Sequence, residues 1–423
     1  MKKVLLTLIA VLMAVPAFAI EVYNNGENAV DIYGTLRGYI GYGHGVDGVS
    51  DTTDDNFLYG IQGNSRIGVR LKVGNFSGQV ELGAVEATLY GRRNKKEIIM
   101  DVELGAVEAT LYGRSAGSNV GLRQAWGAYS FGNAGALLAG KTDTPTAMGG
   151  FISDIMDTDG GLNGFGGSTT GSRRFQIQYN VAGLSIALIE NDMAYGPGVS
   201  YGYTDGGETK TPTKKNGDGG VSYGYTDGGE TIPRLGLSYT YKNPSLLVKV
   251  AATYSALNGT INAPVSDTRW ATVHAFGVAL GLKPTFMDGK MWLSVLARYG
   301  MNEELYGEAK TVYNGGLMAH SSIDNYVGVQ ADGTVDNVQR AAVALELGYN
   351  VNDMIAVIVG GGYQHSMIDA LTYDVGSYAV FLQAPIKISG NFALIPQFTY
   401  TGTRLDSDNK DSLVLAMQAR ITF

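Results

Sequence analysis

Apolar and polar residues alternate with a period of two along most of this chain. At the C-terminal end Leu413, Leu415, Met417, Ala419, Ile421 and Phe423 share one face, and Val414, Ala416, Gln418, Arg420 and Thr422 share the other. Near the start Val30, Ile32, Leu36 and Ile40 oppose Asp31, Tyr33, Thr35, Arg37 and Tyr39. Ile67, Val69, Leu71 and Val73 oppose Arg66, Arg70 and Lys72, and Leu235, Leu237, Tyr239 and Tyr241 oppose Arg234, Ser238, Thr240 and Lys242. A two-residue period is that of strands with unlike faces. Soluble sandwiches alternate in the same way, so the pattern predicts strands without choosing an architecture.

Lengths and connections choose it. Sixteen strand candidates lie near 29–41, 63–73, 77–90, 121–131, 134–141, 173–180, 183–191, 234–242, 245–257, 270–283, 287–299, 338–350, 353–365, 373–388, 391–403 and 411–423. Most match the roughly 9–11 residues that a tilted strand needs to cross a bilayer. Short turns at Gly74-Asn75, Gly132-Asn133, Val181-Ala182, Asn243-Pro244, Asp288-Gly289, Asn350 to Asp353 and Ser389 to Asn391 alternate with mostly longer Gly- and Asp-rich loops. Short turns on one rim and long loops on the other predict an all-β fold, a transmembrane antiparallel up-and-down β-barrel of about 16 strands. An even count brings the last strand beside the first and leaves no edge for lipid to expose. Pro385 and Pro396 each remove a ladder donor, which predicts bulges there.

Composition narrows the picture. Residues 1–19 read as a cleaved export signal: Lys2 and Lys3, the apolar run Val4 to Val15, then Ala17-Phe18-Ala19. Residues 20–423 are then the barrel. The 31 basic residues fall to 29 without Lys2 and Lys3, against 39 acidic ones, a net charge of −10 that excludes a nucleic-acid partner. No later stretch reaches the ~18 consecutive apolar residues of a spanning helix. Cysteine is absent, which removes disulfide and zinc–thiolate scaffolds. The 60 glycines and 26 tyrosines suit many turns and an aromatic belt at strand ends, with Tyr241, Tyr254, Tyr299 and Tyr349 as examples.

Two segments occur twice. Residues 80–92 recur at 102–114, and 198–209 recur at 220–231. Both repeats fall in long outward loops, 91–120 and 192–233, where insertions disturb little packed backbone. A second membrane-spanning copy of 80–92 would reverse every later strand, so 102–114 is expected above the membrane.

Several motifs now carry a family resemblance. Glu21 to Asn25 with Val30 to Gly34, Ser65-Arg66-Ile67-Gly68-Val69, Phe175 to Asn180 with Gly183-Leu184-Ser185, and the terminal Phe423 together resemble the trimeric general diffusion porins of the Gram-negative outer membrane. The resemblance implies that loop 142–172 folds into the lumen as a constriction, with Asp143, Asp154, Asp157 and Asp159 on it. It implies that Arg66, Arg123 and Arg174 face that loop from the wall, with Arg37 and Arg70 of the same inward parity. It implies that Phe423 is read by the barrel-assembly machinery, and that the partners are outer-membrane lipid, lipopolysaccharide, small hydrophilic solutes and ions, and two further copies in a homotrimer. Leu162-Asn163-Gly164-Phe165-Gly166-Gly167 departs from the family's Leu-Pro-Glu-Phe-Gly-Gly, and the lost glutamate leaves ion preference open.

Other chemistry finds no support. Gly135 to Thr142 fits the phosphate-loop spelling G-x-x-x-x-G-K-T, but Ala136-Leu137-Leu138-Ala139 belongs in a strand and Asp143-Thr144-Pro145 opens no helix. His44, His274, His320 and His365 lack metal-ligand spacing, and Asp51, Asp54 and Asp55 lack EF-hand spacing. The expectation is a channel without enzymatic activity or cofactor. Three alternatives stay open: a channel selective for anions or sugars, using Arg37, Arg66, Arg70, Lys72, Arg123, Arg174, Lys249, Arg298 and Arg340; an adhesin displaying the duplicated loops; and a soluble secreted β protein.

Overall fold

The computed structural model describes residues 20–47, 52–62, 64–84, 120–155, 161–162, 164–167, 173–190, 203–205, 208–210, 223–224, 233–261, 269–303, 328–329, 335–369, 374–405 and 408–423. Residues 1–19, Asp157, Asp159 and most of both duplications lie outside them. Sixteen antiparallel strands close into one sheet. They are β1 (Asn28–Asp47), β2 (in two pieces, Thr52–Ile61 and Arg66–Val73), β3 (Phe76–Ala84) and β4 (Val120–Ser130). β5 (Ala136–Thr142), β6 (Arg174–Val181), β7 (Leu184–Ile189) and β8 (Arg234–Asn243) follow. Then come β9 (Leu246–Ile261), β10 (Arg269–Phe286), β11 (Met291–Met301) and β12 (Val338–Asn350). β13 (Ala356–Ile368), β14 (Val375–Gln383), β15 (Phe392–Leu405) and β16 (Asp408–Thr422) complete the circuit. Each pairs with its sequence neighbour, and β16 pairs with β1 from Thr35↔Thr422 to Asp47↔Lys410. The phosphate-loop spelling is β5, a ladder strand.

At the seam, Phe423 and Gly34 exchange backbone hydrogen bonds of 3.0 and 2.7 Å. Beyond Phe423 the segment Ile20–Asn24 pairs with residues 29–32 of β1 and prolongs the closing strand.

The sheet is apolar outside and polar inside. Outward residues such as Ile40, Leu345 and Val359 are about half exposed (52, 50 and 49%), whereas inward Ser377, Thr399 and Gln364 are buried. The strand-end tyrosines Tyr241, Tyr254, Tyr299 and Tyr349 are all outward and exposed. This distribution inverts that of a sandwich, whose apolar faces meet. The apolar rows point away from the enclosed space, so the strands form a closed barrel and not two stacked sheets.

Among the interruptions of the ladder, those in β1–β2, β3–β4 and β14–β15 bear on the sequence reading. Pairing of β1 with β2 shifts from Gly38↔Ile61 to Thr35↔Arg66, so the four residues 62–65 stand opposite Leu36 and Arg37. Sequence periodicity ran a single strand through 63–65, and it misses this excursion because Gln62, Asn64 and Ser65 are polar whether paired or not. In the β3–β4 ladder Glu81 faces Gln124 and Leu82 faces Leu122, leaving Arg123 as the extra residue of a bulge. The bulges expected at the prolines are absent. β14 leaves the ladder after Gln383↔Gln397, and pairing resumes at Ile386↔Leu394 in unchanged register. Pro385 and Pro396 share that gap, so the missing donors are placed where little pairing is lost.

Candidate pore constriction

The segment after β5 turns into the barrel. Met148, Phe151, Ile152, Ile155, Leu162 and Phe165 are buried against the inward residues Ala251, Leu296, Ala344, Ile358, Ala379 and Phe381 of β9 and β11 to β14. Polar contacts fasten the same segment. Lys249 Nζ donates to the Ala147 carbonyl (2.6 Å) and Lys283 Nζ to that of Gly150 (3.0 Å). The Ser153 N–H donates to Glu346 (2.6 Å), which also accepts from Trp292 Nε1 (2.8 Å). Gln383 Nε2 donates to the Asp154 carbonyl (2.8 Å), and Ser377 donates to that of Gly164. Gly281 leaves room for the Phe151 ring: a Cβ there would lie 2.6 Å from it.

This apolar seat was readable in part. Around Leu296, Ile358 and Phe381 the alternation lapses into Val295-Leu296-Ala297, Val357-Ile358-Val359 and Val380-Phe381-Leu382. Continuous apolar runs belong to strands that are apolar on both faces, here the outward face of the barrel and the inner face under the loop.

The wall formed by β1 to β4 carries a further charged cluster. Arg37 Nη1 meets Asp154 Oδ2 at 3.3 Å, and Arg37 also reaches Gln62 Oε1 (3.4 Å). The excursion at 62–65 makes this possible: Ser65 Oγ accepts the Arg37 N–H (2.9 Å), and Gln62 Nε2 reaches the Ile155 carbonyl (3.4 Å). Arg66 and Arg123 converge on Glu81, with Nε at 3.5 Å and 3.0 Å. Tyr33 donates to the same carboxylate (2.8 Å), and Arg123 Nη2 donates to Asn64 (2.8 Å). The bulge aims the Arg123 side chain, and Gly83 admits it: a Cβ at 83 would lie 2.0 Å from Arg123 Cδ. Arg70 lies 4.0 Å over the Tyr33 ring and donates to Gln79 (3.4 Å).

Of the residues singled out in sequence, the structure joins Arg37 to Asp154 and brings Arg66 and Arg123 together. Asp143 is met by Arg173, Nε at 3.3 Å, while the expected Arg174 begins β6 opposite Thr142. Glu81, Glu346 and Arg420 were missed. Glu81 had a signal, as a lone acid of inward parity between Val80 and Leu82. Arg298 donates to Gln364 (2.9 Å), and it and Arg340 are buried. Among the described residues no group of three metal-ligating side chains gathers.

No protein-family profile matches the chain, and no curated protein matches its sequence. Solved structures do. The outer membrane channel DcaP of Acinetobacter baumannii superposes with a TM-score of 0.61 at 16% identity, over 97% of this chain and 100% of that one. An anion-selective porin from Comamonas acidovorans gives 0.53 at 14%, and OmpF of Salmonella typhi, in complex with daunomycin, 0.52 at 13%; both cover 94% of this chain and 100% of their own. At these identities the likeness is one of architecture. The chain has the closed sixteen-strand barrel fold of Gram-negative outer-membrane porins.

Proposed function

We propose that the protein is an outer-membrane porin, exported by residues 1–19 and assembled as a homotrimer, through which small hydrophilic solutes and ions diffuse. The observation that carries this is the radial distribution of side chains. A lipid-compatible belt surrounds an interior where a fastened loop faces a charged wall. The fold shared with a bacterial outer membrane channel supports it.

In this reading loop 142–172 narrows the lumen, and Arg37, Arg66, Arg70, Arg123 and Arg174 face its carboxylates Asp143, Asp154, Asp157 and Asp159. Cations on one side of a narrow aqueous neck and acids on the other give a transverse field, which orients dipolar solutes and sets ion preference. The chain then needs no catalytic group: selectivity comes from width and fixed charge. The test is reconstitution of the purified protein in planar bilayers. Ohmic conductance in groups of three equal steps is expected. Absence of conductance from correctly folded protein overturns the reading.

A further inference from the structure

The first duplication reaches into the barrel wall, and we propose that it gives the chain two interchangeable versions of β3. One is the observed strand, Phe76–Ala84; the other is residues 98–106, which take its place in a second assembled form. Residues 80–84 of the repeat are the second half of β3, paired with β2 on one side and β4 on the other. Residues 102–106 spell the same Val-Glu-Leu-Gly-Ala. They lie outside the described residues, but the slot they would fill is described in full.

That slot is demanding at two positions. It needs a carboxylate where Glu81 receives Tyr33, Arg66 and Arg123. Two residues on it needs a glycine, because a Cβ at 83 would lie 2.0 Å from Arg123 Cδ. Glu103 and Gly105 supply both at the same spacing, and Glu103-Leu104 repeats the Glu81-Leu82 step that faces the bulge at Arg123.

The fit continues past the end of the repeat. Aligned on Phe76 to Gln79, residues 98–101 read Ile98-Ile99-Met100-Asp101. Phe76, Val80 and Leu82 are exposed on the outer face, with Gly78 between them. Ile98, Met100, Val102 and Leu104 would give the same positions an unbroken apolar row, which is what a lipid-facing strand requires. The repeat offset of 22 residues is even, so every side chain keeps its face. Inward, Asp101 would replace Gln79, which now accepts a hydrogen bond from Arg70. Strand number and direction are unchanged, and the closure between β16 and β1 is untouched.

What the exchange moves is a connection. In the observed form Gly74-Asn75 is a tight turn and 85–119 joins β3 to β4 on the other rim. After exchange 74–97, with Arg93, Lys95 and Lys96, lies on the turn rim, and 107–119 alone borders the outer mouth. Closure entropy grows slowly with loop length, and the altered loops disfavour the exchanged form by roughly tenfold. The choice is made as the strands assemble, because drawing β3 out of a closed barrel would expose unpaired backbone to lipid.

The experiment puts Val80→Pro and Val102→Pro, singly and together, into the full chain expressed in a Gram-negative host. Proline removes a donor that a strand paired on both sides needs. Each single variant should still yield the compact barrel in the membrane fraction, read by heated electrophoresis, and the double variant none. A Lys95→Cys reporter, in a chain that has no cysteine of its own, is probed with a polyethylene-glycol maleimide too large for the pore. Intact cells should label in the parent and in Val102→Pro, whereas Val80→Pro should label only after the outer membrane is permeabilised. Deletion of residues 76–97 joins Ile98 to Asn75 and leaves 98–106 as the sole β3; that barrel should assemble like the parent. Three results each overturn the exchange and leave the barrel standing: Val80→Pro assembling no better than the double variant, Val80→Pro still labelling on intact cells, or failure of the deletion to fold. Assembly of the double variant overturns it as well.

Discussion

Glu81 organises more of the inner wall than any other single side chain described. It is 2% exposed and receives Tyr33, Arg66 and Arg123 at once. A buried carboxylate deprived of its charge leaves two guanidinium groups uncompensated, and breaking a buried pair costs about 3–5 kcal/mol. Glu81→Gln is therefore expected to lower the unfolding temperature of the barrel, read as loss of the compact band on heated electrophoresis, while the surviving channels gain anion preference. Unchanged stability and unchanged reversal potential together would show that the cluster is idle. Arg37, Arg66 and Arg70 were legible in the sequence because strand parity sends them inward, whereas Arg123 was reached only through the family resemblance, since the bulge that aims it breaks parity. Their partners were not. Glu81 meets Arg123 across a bulge that alternation does not reveal, and Asp154 reaches Arg37 over more than a hundred residues of chain.

The inward loop is an element with its own small core. Its apolar residues sit on bare patches of the wall, above all Phe151 on Gly281, so its position is set by packing as well as by hydrogen bonds. Inserting even a methyl into a filled contact costs typically about 1–3 kcal/mol. Gly281→Ala should lift this part of the loop from the wall and widen the neck. Liposome swelling with di- and trisaccharides should then run faster than in the parent, with monosaccharide rates little changed. Identical rates across the sugar series would mean that the loop does not set the exclusion size. The paired prolines follow the same economy. Pro385 and Pro396 occupy one gap between β14 and β15, and the register on either side is kept.

The whole molecule depends on closure, because an open edge in lipid leaves unsatisfied backbone groups at several kcal/mol each. The seam runs along β16 and β1 and ends at Phe423, whose ring lies over Gly34; a Cβ there would sit 2.5 Å from the ring and 2.8 Å from the Arg66 carbonyl oxygen. Gly34→Val should weaken closure and reduce folded protein in the membrane fraction, and deletion of Phe423 should reduce it further if that residue is also the assembly signal. Full recovery of the compact form from both variants would remove the seam from the account. Alternation and strand length, properties of neighbours along the chain, were enough for the sequence alone to establish most of the strands, their facing, the short-turn rim and the barrel class, but not the pairing of residues 42–47 with Thr52–Ile61, which the strand candidates 29–41 and 63–73 left out. Tertiary structure alone decided where the ladder slips, which acids hold which arginines, and that part of the inner wall is greasy. Each of these depends on which strands and loop are brought together across the barrel, and a two-residue period carries no information about that distance.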